Sequence, residues 1–173
     1  AAEPEPAAEH APGRFEVPGG YRVLTGSSDG EGWSVGIVVA KFNGEITSRL
    51  LQRALDELEA AAVPRESVTI VTVPGAFELP LAAMALAKTR RYSCVVALGC
   101  VVRGETPHFD FVAGEAASGL QLAAIETGVP VAFGVLTTET IEQAEARIDR
   151  AAEVVRGALE MADVFQQLRA ASK

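Results

Sequence analysis

The residues best suited to chemistry lie in one stretch, GCVVRGETPHFDF, at residues 99–111. The apolar run before it, residues 94–98, is short and β-branched, which is typical of a buried strand. After this strand Thr106 can cap a helix, and Pro107 suits the first helical position. A phosphate could bind the free N–H groups of that helix start, beside His108, since histidine is the side chain that commonly carries protons near neutral pH. The segment predicts a proton carrier beside an anion site, but a histidine after a proline can equally be a surface or capping residue.

Two phenylalanines and a carboxylate also follow apolar runs that predict strands. Phe42 comes after the first of these runs, and Phe77 and Glu78 come after the second. An aromatic ring at such a position can stack on a planar ligand, or it can close the top of the hydrophobic core. Glu78 can be a helix-dipole partner, or its carboxylate can accept N–H bonds from a heterocycle. The residue types alone leave both interpretations open.

Two arginines, Arg103 and Arg147, are the guanidiniums best placed near this predicted site. The arginine fork can bind two phosphate oxygens at once. Arg103 can instead form an ion pair with Glu105 or Asp110. A phosphate contact and an ion pair are therefore both open for Arg103.

Other familiar chemistries lack their sequence motifs. The chain has no GxGxxG after its first predicted strand, no GxxxxGK[ST], no metal-spaced Cys/His cluster and no serine in a nucleophile-elbow context. Lys41 is the only lysine near the predicted site, and nothing beside it indicates the desolvation that a Schiff-base lysine needs. The sequence therefore favours acid/base transfer and the positioning of reactive substrates.

The elements that must position these residues alternate regularly between strand and helix. Apolar runs predict strands at residues 33–40, 68–73, 94–102 and 131–136. Helical spacing follows each of the first three strands, with Asn43 able to cap the first helix and Gly128 closing the third. This alternation predicts a parallel sheet with helices on both faces, whose ligands bind at the carboxyl ends of the strands.

The N-terminal part of the chain differs from the rest. Residues 1–13 are rich in Pro, Glu and Ala and have little to bury, so we expect a disordered tail. Residues 14–32 contain two short alternating fragments that can supply an edge strand. We expect residues 14–173 to form a single domain, since their number is ordinary for one hydrophobic core.

Composition and charge argue against some classes of binding partner and favour one cellular compartment. The formal net charge is −8 with only three lysines, whereas nucleic-acid surfaces need clustered Lys and Arg. No apolar run approaches the roughly 20 residues of a membrane span, and the N-terminus lacks a basic-then-apolar signal pattern. Cys94 and Cys100 would lie roughly 20 Å apart on one strand, too far for a disulfide. We therefore expect a cytoplasmic protein that binds neither nucleic acid nor membrane and keeps both thiols reduced.

The C-terminal stretch predicts one long helix that begins at a Thr140/Gln143 capping box. Its apolar residues step by three and four as far as Phe165. Unbroken to Leu168, the helix would be ~43 Å long, whereas a strand spans only ~17–20 Å. The overhanging stripe predicts burial by a second copy of the chain. The alternative is a monomer in which the small residues of the stripe pack on the chain's own third helix.

Four motifs follow one another along the chain: VVAKFNGEITSRLLQRALDEL, VTVPGAFELPLAA, VVALGCVVRGETPHFDFVAGEAASGL and GVPVAFGVLTTETIEQAEAR. Over residues 33–147 they resemble the motifs of the 6,7-dimethyl-8-ribityllumazine synthase family. The resemblance implies a three-layer flavodoxin-like α/β domain that condenses 5-amino-6-ribitylaminouracil with 3,4-dihydroxy-2-butanone 4-phosphate, without metal or cofactor. It also implies a homo-oligomer, a pentamer or a multiple of it, with the active site at the subunit interface.

The same resemblance implies a role for individual residues. Substrate contacts would come from Phe42, Asn43, Ala76, Phe77, Glu78, Val101, Val102 and Phe133, phosphate contacts from Glu105, Thr106 and Arg147, and proton transfer from His108. Phe133 and Arg147 would reach the site from the adjacent subunit.

One departure from the family pattern follows Arg147. Family members usually carry a glycine-rich loop with a lysine before the last helix, but here ARIDRAAEVVRG runs on without glycine or lysine until Gly157. The shorter segment removes a basic residue expected near the phosphate. It leaves open an impaired relative that binds flavin-like ligands or serves as a shell subunit, and it leaves the size of the assembly open.

Overall fold

A parallel sheet of four strands forms the centre of the computed structural model, which describes residues 14–172. The strands in chain order are β1 (Val35–Ala40), β2 (Val68–Val73), β3 (Cys94–Val102) and β4 (Val131–Thr138). Their order across the sheet is β2-β1-β3-β4, and every neighbouring pair is parallel. The predicted four-stranded parallel sheet is confirmed.

Helices cover both faces of this sheet. They are α1 (Gly44–Ala60), α2 (Leu79–Lys88), α3 (His108–Thr127), α4 (Ile141–Glu145) and α5 (Arg150–Ala171), with short 3₁₀ turns at Arg65–Ser67 and Ala76–Glu78. Helices α1 and α5 pack on one face, and α2 and α3 pack on the other. This three-layer α/β arrangement is consistent with the expected flavodoxin-like fold.

The two middle strands explain why the apolar runs are continuous. Side chains alternate across a strand, so Ile37 of β1 packs with α1 and α5 while its neighbour Val38 packs with α2 and α3. Strand β3 divides in the same way, with Val96 on the first face and Val95 on the second. Both strands are buried on two faces, which requires apolar residues at every position.

Residues 14–32 do not form the predicted edge strand. The backbone N–H of Ser27 donates to Asp163 of α5 at 2.7 Å, and Gln167 of α5 donates to the carbonyl of Thr25 at 2.9 Å. The segment thus satisfies backbone groups with side chains of a helix, not with a strand. The predicted tail at residues 1–13 lies outside the described residues.

The prediction of one continuous C-terminal helix is wrong. A turn at residues 146–149 separates α4 from α5. Through this turn the N–H groups bond to carbonyls three residues back, as from Arg150 to Arg147 at 3.0 Å, which tightens the chain and ends the first helix. Thr140 does cap α4 through Gln143 N–H at 3.2 Å, but the Gln143 side chain accepts from Glu139 N–H.

The apolar residues of α5 pack within the chain. Ala151, Val155, Ala158 and Ala162 are buried with α1 and the sheet, and not on α3 as the monomer alternative supposed. Helix length therefore no longer supports an oligomer, and any such argument must come from other surfaces.

Close packing of α3 on α2 predicts a specific sensitivity at Gly119. A Cβ added there would lie 2.6 Å from Cβ and 2.7 Å from Cγ of Pro80. We expect Gly119→Ala to lower the free energy of unfolding by about 1–3 kcal/mol, although alanine is the better helix former by up to ~1 kcal/mol.

Gly114→Ala in the same helix is the matched control, because an added Cβ there meets no atom within 4 Å. We expect this variant to be unchanged or slightly more stable. Urea unfolding of both variants at equal protein concentration checks the pair. Equal losses of stability would contradict the packing explanation.

Candidate active site

A groove of about 720 Å³ opens at the carboxyl edge of the sheet. Its walls come from the segments after β1, β2 and β3 and from the first turns of α3. The groove is lined by nine of the residues expected from the sequence: Phe42, Asn43, Ala76, Phe77, Glu78, Val101, Val102, Thr106 and His108. The parallel sheet brings them together because all its strands end at this edge.

Three expected residues do not line this groove. Glu105 lies in the loop between β3 and α3 but outside the lining. Phe133 lies within β4, where it pairs with Ala97, and it is 43% exposed. Arg147 lies in the turn after α4 and donates to the carbonyl of Gln143 at 2.9 Å. The groove of a single chain therefore lacks both the expected ring contact and the expected phosphate arginine.

The phenyl rings of the groove are open to solvent. Phe42 is 71% exposed and Phe77 is 59% exposed, so these rings do not close the hydrophobic core. Backbone bonds from Lys41 to Val73 and from Phe42 to Pro74 continue the pairing of β1 with β2 beyond the strands. They hold the two aromatic segments side by side, which favours stacking on a planar ligand.

The groove also contains residues that the sequence analysis missed. Phe111 lines it and is 69% exposed. It follows His108 by three residues, and this spacing places two helical residues on one face, so periodicity could have found it. Cys100 and Phe109 line the groove too.

Asn43 joins two walls of the groove. Its backbone is left-handed, with φ of 54°, a conformation that asparagine tolerates better than most residues. Its Nδ2 donates to the carbonyl of Cys100 at 2.8 Å, so the side chain does not cap α1 as expected. Among residues 14–172 no donor reaches its Oδ1, which leaves that oxygen for a ligand.

Glu78 has one oxygen engaged. Its Oε2 accepts the backbone N–H of Gly75 at 2.9 Å, which closes the short 3₁₀ turn at Ala76–Glu78. This oxygen therefore makes a local bond within the turn, which is neither the helix-dipole role nor the heterocycle contact considered from the sequence. No described residue donates to Oε1, so a ligand N–H can still bind the same carboxylate.

The start of α3 differs in detail from the expected cap. Helix α3 begins at His108, Pro107 occupies the N-cap position, and Thr106 makes no capping bond. The first bond across this end runs from Asp110 N–H to the carbonyl of Pro107 at 3.0 Å. The first N–H groups of a helix have no partner within it, so the anion position expected beside His108 stays a prediction.

Arg103 forms ion pairs, which settles one of the open alternatives. Its guanidinium lies 3.2 Å from Asp110 and 2.9 Å from Glu139, and no pair with Glu105 occurs in the described part of the chain. Asp110 and then Glu139 raise the pKa of Arg103 by accepting its hydrogen bonds.

The two cysteines are free, buried thiols, as expected. Burial raises the pKa of Cys94 to about 12 and that of Cys100 to about 11. Cys100 therefore contributes a protonated thiol to the groove and not a thiolate nucleophile.

Other site types were sought across residues 14–172. No group of His, Cys, Asp and Glu in this range is arranged to hold a metal ion. No described helix combines the length and apolar character needed to cross a membrane.

Comparison with known proteins identifies the family. The family model described as 6,7-dimethyl-8-ribityllumazine synthase matches residues 32–166. The 6,7-dimethyl-8-ribityllumazine synthase of Nitratidesulfovibrio vulgaris (strain DSM 19637 / Miyazaki F) is 45% identical over 152 residues, which cover 85% of this chain and 97% of the relative. The synthase of Desulfatibacillum aliphaticivorans is 43% identical over 153 residues, covering 86% and 99%. The chain that builds this groove belongs to the 6,7-dimethyl-8-ribityllumazine synthase family.

Proposed function

We propose that this protein condenses 5-amino-6-(D-ribitylamino)uracil with 3,4-dihydroxy-2-butanone 4-phosphate to 6,7-dimethyl-8-ribityllumazine, phosphate and water. The observation that carries the proposal is a single groove lined by His108, by the exposed rings of Phe42 and Phe77, and by the start of α3. The groove thus combines a proton carrier, a stacking surface and an anion position. Two relatives that the chain covers almost end to end carry the name of this activity.

The groove offers a place for each part of the substrates. Phe42 stacks on the pyrimidine ring, while Asn43 and Glu78 bind its polar edge and the ribityl chain. Ala76, Phe77, Val101 and Val102 line the remaining wall. The phosphate binds near Glu105 and Thr106, where the N–H groups at the start of α3 are free.

The reaction needs proton transfers more than a strong nucleophile. The 5-amino group of the uracil attacks the ketone, and a first water leaves as the imine forms. Phosphate is then eliminated, and the enol that remains becomes a second carbonyl. The ribitylamino nitrogen attacks this carbonyl, and loss of a second water closes the ring of the lumazine. His108 moves protons in these steps, which typically contributes 10²–10⁴-fold. Holding the two reactants in attack geometry can contribute ~7–11 kcal/mol, so we rank positioning above acid/base transfer.

We further propose that the site is completed in a homo-oligomer, a pentamer or a multiple of it. Phe133 and Arg147 lie outside their own chain's groove, so an adjacent subunit is the natural source of these two contacts. An apolar groove lies beside the start of β4: Ile125 of α3, 70% exposed, and Met161 of α5, 45% exposed, line it together with Val131 and Ala132. Burial of such a surface favours association. The two free thiols agree with a reducing compartment, and we propose the cytoplasm.

Removal of the proton carrier should weaken but not abolish turnover. We expect His108→Ala to lower kcat about 10²-fold, because acid/base transfer is only part of the catalysis. The variant that combines Phe42→Ala with Arg147→Gln should lose more, since it removes positioning of both substrates. Lumazine fluorescence after mixing both substrates measures the rates.

His10→Ala replaces the only other histidine of the chain and is the matched control. It should retain full activity. Binding of lumazine without turnover by the unmutated protein would contradict the proposed function and favour an impaired relative. If His108→Ala lost as much activity as the double variant, the ranking of positioning above acid/base transfer would be contradicted.

A site shared between subunits predicts complementation. We expect the His108→Ala and Arg147→Gln variants to regain activity when co-expressed, because about a quarter of the sites in a mixed ring receive both native residues. Purification through a different affinity tag on each variant checks that mixed oligomers form. Each variant expressed alone is the control. If Arg147 served its own chain's groove, every site would lack one residue and no activity would return.

A further inference from the structure

We propose that Arg103 is a positioning residue, which fixes the start of α3 and with it His108 relative to the end of β4. This inference rests on the proposed function, because its effect is expressed in that reaction. The sequence left a direct phosphate contact open for Arg103, and the geometry points away from it.

The guanidinium of Arg103, which follows β3, contacts both the start of α3 and the residue that follows β4. Its NH1 and NH2 donate to the two carboxylate oxygens of Asp110 at 3.4 and 3.2 Å. Its Nε lies 2.9 Å from Glu139, which follows β4. Its central carbon lies 4.4 Å from the centre of the Phe109 ring. Such a forked, stacked contact restricts orientation as well as distance.

The loop between β3 and α3, which this network closes, needs a contact that restricts its orientation. Residues 104–107 are exposed and belong to neither β3 nor α3, and nothing lies within 4 Å of a Cβ built on Gly104. Asp110 is two residues beyond His108, in the first turn of α3. Within residues 14–172, Arg103 provides the only side-chain hydrogen bonds between the end of β3 and this turn. Release of Asp110 would therefore free the helix end that carries His108.

The charge of the cluster argues against phosphate binding by Arg103. One guanidinium faces the two carboxylates of Asp110 and Glu139, so the group carries a net negative charge. Its side chain donates from all three nitrogens to these carboxylates. A phosphate would have to displace a carboxylate to reach it.

Exposure separates a positioning role from a purely structural one. The side chains of Arg103, Asp110 and Glu139 are 38%, 59% and 61% exposed. Exposed ion pairs contribute little to stability, so loss of the network should hardly change unfolding. A small displacement of a catalytic group can still cost 10-fold or more in rate, of order 10²-fold for ~1 Å.

The test compares Arg103→Gln, Asp110→Asn and the double variant. We expect each single variant to lower kcat about tenfold, with the KM for both substrates unchanged. The double variant should fall no further than either single one, because both changes break the same network. Arg103→Lys should behave like Arg103→Gln, since lysine keeps the charge but cannot form the fork.

Arg65→Gln is the matched control, because it breaks an exposed arginine pair with Glu59 at 3.3 Å far from the groove. It should leave activity unchanged. Direct phosphate binding by Arg103 predicts the opposite pattern. Arg103→Gln would then raise the KM for the phosphorylated ketone, Arg103→Lys would largely restore it, and Asp110→Asn would lower it by removing a competing carboxylate. That pattern would overturn the proposal.

Histidine NMR gives a readout that does not depend on turnover. The chain has two histidines, so the ring signal of His108 can be followed with His10 as an internal reference. We expect Arg103→Gln and Asp110→Asn each to shift or broaden the His108 signal, and an unchanged signal in both would overturn the proposal. If the unmutated protein makes no lumazine, the proposed function fails, while this measurement still decides the role of Arg103.

Discussion

Burial of β1 and β3 on both faces of the sheet is the constraint on which the rest of this protein depends. The two strands can be covered on both sides only if α1 and α5 pack on one face and α2 and α3 on the other. Because the covered strands are parallel, their carboxyl ends all lie at one edge of the sheet. That edge therefore receives the segments carrying Phe42, Phe77 and His108, and the core and the groove have the same origin.

The groove made by one chain has no arginine or lysine among the described residues that line it. Arg103 faces two carboxylates, and Arg147 lies outside the lining. In the proposed function, the N–H groups at the start of α3 are the phosphate donors that the chain itself would supply. A cation from an adjacent copy would complete the site, which couples the proposed activity to the proposed assembly.

Local side-chain choices were the least predictable part of the site. Asn43 and Thr106 have the residue types of helix caps, yet Asn43 donates to the carbonyl of Cys100 and Thr106 makes no capping bond. Residue type gives the capacity for a hydrogen bond, whereas the partner depends on which backbone groups the fold brings near. For Arg103 the sequence offered Glu105 or Asp110, and the fold added Glu139 from a distant segment.

The sequence by itself determined the order of strands and helices and the edge at which His108 stands, because hydrophobic periodicity reports local burial. Its motifs also indicated the family. Only the tertiary structure decided that residues 14–32 bond to α5 and that a turn at residues 146–149 breaks the last helix. Both outcomes depend on which groups form hydrogen bonds. An edge strand at residues 14–32 or an unbroken last helix would have the same pattern of apolar residues, so hydrophobic periodicity cannot distinguish them from the observed structures.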